Sequence, residues 1–183
     1  MKKVLTFLLA VTLLTGCSCS MKVTKSTPTK KVEEFFNNYQ TLNEDVLKQL
    51  KQVVNGEETF TEAQKETYTD IMKKHYQGLT YEIKNEVING DSAVVTTEIT
   101  VKDHSKALKE SEAYLLEHPE EFNDEKGNYS ASIYNEYVLK KLKESDEKVT
   151  YTLDLTLTKV NDEWKLDDLS STDESKIQGT YQY

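Results

Sequence analysis

Three histidines, two cysteines and a surplus of carboxylates carry whatever chemistry this chain can do. An imidazole beside a carboxylate can move protons near neutral pH, because its ordinary pKa lies there. His75 closes a helical stretch near Asp70 and Tyr76, where it can line a pocket; the plainer alternative is a helix-end imidazole that caps or meets solvent. Asp103-His104 stands where a strand pattern gives way to a helical one and reads as a helix-start feature. If His104 and His118 share one helix, 14 residues at ~1.5 Å rise put them about 21 Å apart, too far to share a metal ion. No His-Glu-x-x-His spacing and no EF-hand loop occurs. The acidic stretch 120–128 (EEFNDEKGN) offers oxygens for a weak calcium site, or is simply a solvated loop. No Gly-x-Ser-x-Gly elbow is present. No catalytic residue, metal ligand or cofactor is therefore assigned, and the helix faces rich in Lys and Glu, such as Glu66, Asp70, Lys73 and Lys74, read as solvent-facing ion pairs.

The cysteines belong to a different chemistry. Lys2 and Lys3 precede an apolar run at 4–14, interrupted only by Thr6 and Thr12. A membrane-spanning helix needs about 20 apolar residues. This run has roughly half that, so it reads as the helix of a signal peptide. It ends in Leu14-Thr15-Gly16-Cys17, which resembles the lipobox of bacterial lipoproteins. The resemblance implies cleavage between Gly16 and Cys17, a diacylglycerol joined to the Cys17 thiolate through a thioether, and a freed amine on Cys17. Two or more acyl chains, at ~0.8 kcal/mol per buried methylene, hold a protein stably where one does not. The expected partner is the membrane, reached through N-terminal lipid, and the expected address is the extracytoplasmic face of the cell membrane. With Cys17 alkylated, Cys19 has no intramolecular partner, so the fold is not a disulfide scaffold.

Removing 16 leader residues leaves 167 of the 183, enough for one domain with its own core. With Lys2 and Lys3 gone, 21 of the 23 basic residues face 32 acidic ones, a net charge near −11, and every basic residue is lysine. Arginine is the usual bidentate reader of guanine and phosphate, so an acidic chain without it is not a nucleic-acid binder. Anionic headgroups would repel such a chain too, which leaves attachment to the acyl chains.

The elements that must position these residues follow from periodicity. Residues 1–16 are the signal segment, and 17–29, rich in Ser, Thr and Lys, read as a lipidated tether. Between 30 and 55, Val32, Phe35, Phe36, Tyr39, Leu42, Val46, Leu50 and Val53 recur every three or four residues, predicting one amphipathic helix kinked near Asn43. Thr61-Glu62-Ala63-Gln64 fits a capping box for a second helix that ends at Gly78. The period then becomes 2. In 79–88, Leu79, Tyr81, Ile83 and Val87 share one face; Asn89-Gly90-Asp91 turns the chain; and 93–102 returns with Ala93, Val95, Thr97, Ile99 and Val101 inward. A helix capped by Ser105 and ended by Pro119, a polar loop, and a helix over 129–144 form an inserted pair. A long strand at 149–160 and a short one at 164–166 close the domain, which spans 30–169; residues 170–183 read as a polar, frayed tail. The expected class is α+β: a curved antiparallel sheet of about four strands against the N-terminal helices, with the helical pair between strands 2 and 3.

Paired helices, "NGDSAVVTTEITVKD", a helical excursion and "VTYTLDLTLTKVNDEWKLDDL" together resemble the nuclear-transport-factor-two-like (cystatin-like cone) fold, in the form carried by small lipoproteins of Gram-positive bacteria. The likeness covers 30–169, and no catalytic motif comes with it. It implies a space between sheet and helices that can hold a ligand. Tyr81 and Tyr151 point inward by alternation and Trp164 can close one end, so these aromatics either line a cleft for an apolar or peptide ligand or simply pack the core. The expected function is a membrane-tethered domain that binds a protein or small apolar ligand, rather than an enzyme. A hydrolase or isomerase using a polar cone pocket, and a spacer pairing with a second copy of itself, are the alternatives.

Overall fold

The computed structural model describes residues 26–182: an open antiparallel sheet of four strands in the order β1-β2-β3-β4, and six α-helices. The leader, the Gly16-Cys17 bond, Cys19 and most of the expected tether lie outside the described residues.

Helix α1 (Pro28–Thr41) starts inside the stretch expected to be tether. Thr27 accepts a hydrogen bond from the Lys30 N–H, and Pro28, with its fixed φ and missing N–H, suits the first turn. The single helix expected over 30–55 is two. Leu42 turns left-handed (φ +52°), and the Asn43 side chain accepts from the Val46 N–H to start α2 (Glu44–Gly56). A capping Asn satisfies an orphan N–H that a continuous helix would not have offered it. The break lets Val32, Phe36 and Tyr39 face the sheet side while Val46, Leu50 and Val54 pack α2 on α3 (Glu62–Gly78). Helix α3 begins with the expected capping box, Thr61 and Gln64 satisfying each other's backbone N–H.

Strands β1 (Thr80–Asn89) and β2 (Ser92–Lys102) form the expected hairpin, with Asn89 opposite Ser92 and Gly90 at φ +62°. The loop is Gly90-Asp91, so glycine takes the first central position, where positive φ is needed. The register slips between Ile83 and Asn85, leaving Lys84 as an extra residue. A one-residue bulge exchanges the two faces of everything beyond it. Val87, expected inward, therefore pairs with Val94 on the outer face, while Glu86 turns toward the helices and accepts from the Thr29 N–H (2.9 Å) and hydroxyl (2.7 Å). At its other end α1 places the Gln40 amide 2.8 Å from the Leu79 carbonyl, so it runs from the hairpin end of the sheet to the start of β1.

Strand β3 (Lys148–Val160) pairs with β2 along its length and aligns Ala93 with Leu157, Val95 with Leu155, Thr97 with Leu153 and Ile99 with Tyr151. All eight are buried on the helix side, as the alternation requires. Asn161 and Asp162, both left-handed (φ +52° and +66°), turn the chain into β4 (Glu163–Leu166). Helices α4 (His104–Glu117) and α5 (Ala131–Glu144) are the excursion between β2 and β3; they pack on each other, and α5 packs on α3. Asp103, not Ser105, caps α4, its carboxylate accepting from the Ser105 N–H and hydroxyl. The tail expected to fray instead forms α6 (Ser171–Ile177), capped by Ser170, with Ile177 only 2% exposed. What orders it is the site below.

Candidate functional site

An antiparallel hairpin returns the chain to where it began, and here it joins two histidines. His75 lies on the last turn of α3, on the face carrying Ile71 and Met72, just before β1; His104 follows directly after β2. Because Thr80 pairs with Thr100, the end of α3 and the start of α4 must meet. The two rings lie 4.6 Å apart, tilted by 40°, and each side chain is 1% exposed.

Both rings are held by the C-terminal segment. His75 Nε2–H donates to the Ile177 carbonyl at 2.8 Å, and the His104 ring donates to the Gln178 carbonyl. The other ring nitrogens, His75 Nδ1 and His104 Nε2, are buried without a hydrogen-bond partner. Burial, with the nearby Lys102 charge, lowers the His75 pKa to about 4; burial, then His75, then Lys102 lower that of His104 to about 3. Both imidazoles are therefore neutral near pH 7, each fixed as one tautomer by its carbonyl. The backbone completes the clasp. The Gly179 carbonyl accepts from the His104 and Ser105 N–H groups (2.8 and 2.9 Å), the orphan donors of the first turn of α4. Gly179 sits at φ +69°, and a Cβ there would overlap the Lys102 carbonyl oxygen, so only glycine fits. Farther along, the Tyr151 hydroxyl reaches the Tyr181 carbonyl at 3.4 Å, and their rings meet edge to face.

Chemically this is a sealed joint. A substrate in solvent cannot reach either imidazole, and among the described residues no group of three or more His, Cys, Asp or Glu could hold a metal ion. The remaining candidates stay apart. Tyr81 and Tyr151 flank Ile99 in one row across the sheet; Tyr81 stacks on Phe36 (4.9 Å). Trp164 pairs with Lys159, eight residues along β3 from Tyr151, or about 26 Å at ~3.3 Å per residue. It is 7% exposed and lies beneath the Lys159 ammonium (5.9 Å). Of the four side chains expected around one pocket, Trp164 thus stands well away from Tyr81 and Tyr151, while His75 and Tyr151 both touch the C-terminal segment. His118 lies at the far end of α4 from His104, against the Tyr114 ring (4.4 Å). In the acidic loop, Asp124 accepts from the Lys126 and Asn128 N–H groups at 2.9 Å, which closes the turn on itself.

The histidine pair was the constellation hardest to see in the sequence, yet a signal existed. A helix ending in His and a helix beginning with His flank one hairpin, and hairpin geometry alone brings such flanks together.

Residues 1–18 match the family model described as the prokaryotic membrane lipoprotein lipid attachment site. No curated protein and no solved structure matches the chain. Among the described residues no helix is long and apolar enough to cross a membrane. The chain thus carries a prokaryotic lipoprotein lipid attachment site ahead of an α+β domain, the make-up of a lipid-anchored, membrane-associated lipoprotein.

Proposed function

We propose that the protein is cut behind Gly16, acylated on Cys17 and held at the extracytoplasmic face of the membrane, where its domain binds a partner rather than catalysing a reaction. The observation that carries this is the lipid attachment site at residues 1–18. Binding is favoured because the two most versatile proton carriers of the domain, His75 and His104, are sealed at 1% exposure and committed to holding the C-terminus. A protein partner suits the surface better than a small apolar ligand. Tyr81, Tyr151 and Trp164 are engaged by Phe36, Tyr181 and Lys159, whereas Leu116, Tyr129 and Ile133 stand exposed on the α4–α5 excursion. Helices covering one face of a four-stranded antiparallel sheet, with a helical pair between strands 2 and 3, support the cone-like reading of residues 30–169.

The test begins with Cys17→Ala in cells fed labelled palmitate. Wild type is expected to carry label and enter the detergent phase on Triton X-114 partition; the variant should do neither. A labelled, membrane-bound variant sinks the anchor. Protease added to protoplasts should then digest the domain; full protection until lysis would place it on the other face. A photo-crosslinking residue at Tyr129 is expected to give a discrete protein adduct, and its absence counts against the excursion as the binding surface.

A further inference from the structure

Four of the exposed large apolar side chains gather at one end of the sheet: Val87 (55% exposed), Ile88 (51%), Val160 (40%) and Val94 (36%). Val87 pairs with Val94 on the outer face, while Ile88, opposite Ala93, stands on the helix-side face two residues before Gly90, so these side chains ring the end of the sheet. The Lys159 N–H donates to the Asp91 carbonyl at 2.7 Å, which sets the β3–β4 turn, with Val160, beside the β1–β2 turn. The bulge at Lys84 helps create this patch, since it is what sends Val87 outward.

The chain leading to the membrane leaves from the same end. The first turn of α1 is fastened to β1 by the two bonds from Thr29 to Glu86, one residue before Val87. Thr27, the cap of α1, is 10 residues after Cys17, a distance that cannot exceed about 35 Å at ~3.5 Å per residue. Strand β2, with 11 residues at ~3.3 Å each, is itself over 30 Å long. Rooted at the hairpin end, a tether of that reach brings this end to the bilayer at any extension, whereas the opposite end stands over the bilayer only when the tether is drawn out to nearly its full length.

We propose that the hairpin end is a second membrane contact: Val87 and Ile88, flanked by Val160 and Val94, enter the interfacial layer of the bilayer that holds the lipid anchor. The contact is apolar rather than electrostatic: Glu86, Asp91, Asp162 and Glu163 neighbour these side chains in sequence and would be repelled by anionic headgroups, and the Lys159 ammonium at the same end is taken by Asp162 (3.1 Å). It orients the domain with both hairpin turns toward the lipid and the root of the α4–α5 excursion, at Lys102 and Lys148, away from it. The proposal rests on the lipid-anchor reading.

The experiment uses the full acylated protein, in a Cys19→Ser background, reconstituted in phosphatidylcholine vesicles containing nitroxide-labelled lipid. An environment-sensitive fluorophore is attached through Ile88→Cys, Val160→Cys or, as an exposed control at the other end of the sheet, Lys148→Cys. Positions 88 and 160 are expected to be quenched at least threefold more than position 148. In the 160-labelled protein, Val87→Ser with Ile88→Ser should remove most of that quenching while the protein still floats with the vesicles. Equal quenching at 88 and 148 overturns the proposal. So does a blue shift that rises with protein density but is not quenched by labelled lipid, which assigns the patch to a second copy of the chain. Quenching that requires added phosphatidylglycerol overturns the apolar character of the contact. Wild-type protein that fails to float with vesicles refutes the anchor instead, so the two failures are distinct.

Discussion

Acidification should loosen this domain from its C-terminal end, and the effect can be worked from the two buried histidines. His75 and His104 have pKa values lowered to about 4 and about 3, against 6.5 when unfolded. A histidine whose folded pKa is depressed binds its proton more readily in the unfolded chain. Its contribution to stability is therefore complete above pH 6.5 and is lost as pH falls toward the folded value. Between pH 7 and 5 both rings stay neutral in the fold while the unfolded chain protonates, which costs about 2 kcal/mol per histidine and about 4 for the pair. A domain of this size moves about 2–4 °C in Tm per kcal/mol, so the midpoint should fall by roughly 8–16 °C. The nearby Lys102 ammonium, itself held by the Ser145 carbonyl and the Asp146 carboxylate, adds to the lowering of both rings, and the Asp103 carboxylate already accepts from Ser105. Scanning calorimetry at pH 7.5, 6.0 and 5.0 measures it. His104→Gln should abolish about half of the slope. A midpoint that moves less than about 2 °C between pH 7 and 5, or a His104→Gln variant with the full wild-type slope, refutes the reasoning.

Gly179→Ala combines a left-handed backbone with a Cβ driven into the Lys102 carbonyl, so a loss of about 3 kcal/mol is expected in urea titration, with new protease cleavage after α6. A change below about 1 kcal/mol would show that the clasp yields easily. Leu153→Ala removes a fully buried side chain between Leu155 and Tyr151 on the inner face, and should cost 2–5 kcal/mol, roughly the range for such cavities, read from the same titration. Thr61→Ala breaks one half of the capping box on α3 and should cost about 1 kcal/mol. Its effect should be the same at pH 7 and 5, since no titrating group is involved.

Much of the fold was written locally. The switch in period at Gly78, the capping box at Thr61 and the inward row Val95, Thr97, Ile99 and Val101 each need only neighbours in sequence, and each stands in the structure as read. The Gly90 turn was legible because glycine alone accepts that φ without strain. The slip at Lys84 was not, because strict alternation through Val87 is equally good on paper. What decides it is a partner 57 residues away, the first turn of α1, which takes the Glu86 carboxylate. The break at Leu42 was legible only as a kink, since Asn43 can sit within a helix or cap a new one, and the choice depends on what α1 and α2 each cover.

The candidate site divides in the same way. The lipid attachment site is a run of adjacent residues read by processing machinery before any fold exists, so the bare sequence determined it. The order of the last helix was decided elsewhere. Residues 170–182 are polar and look frayed, yet Ile177 and Gly179 dock on His75 and His104. A contact between positions 102 residues apart leaves no local period or cap to read, and it exists only because the hairpin and two helix ends create a dry place where backbone carbonyls need donors.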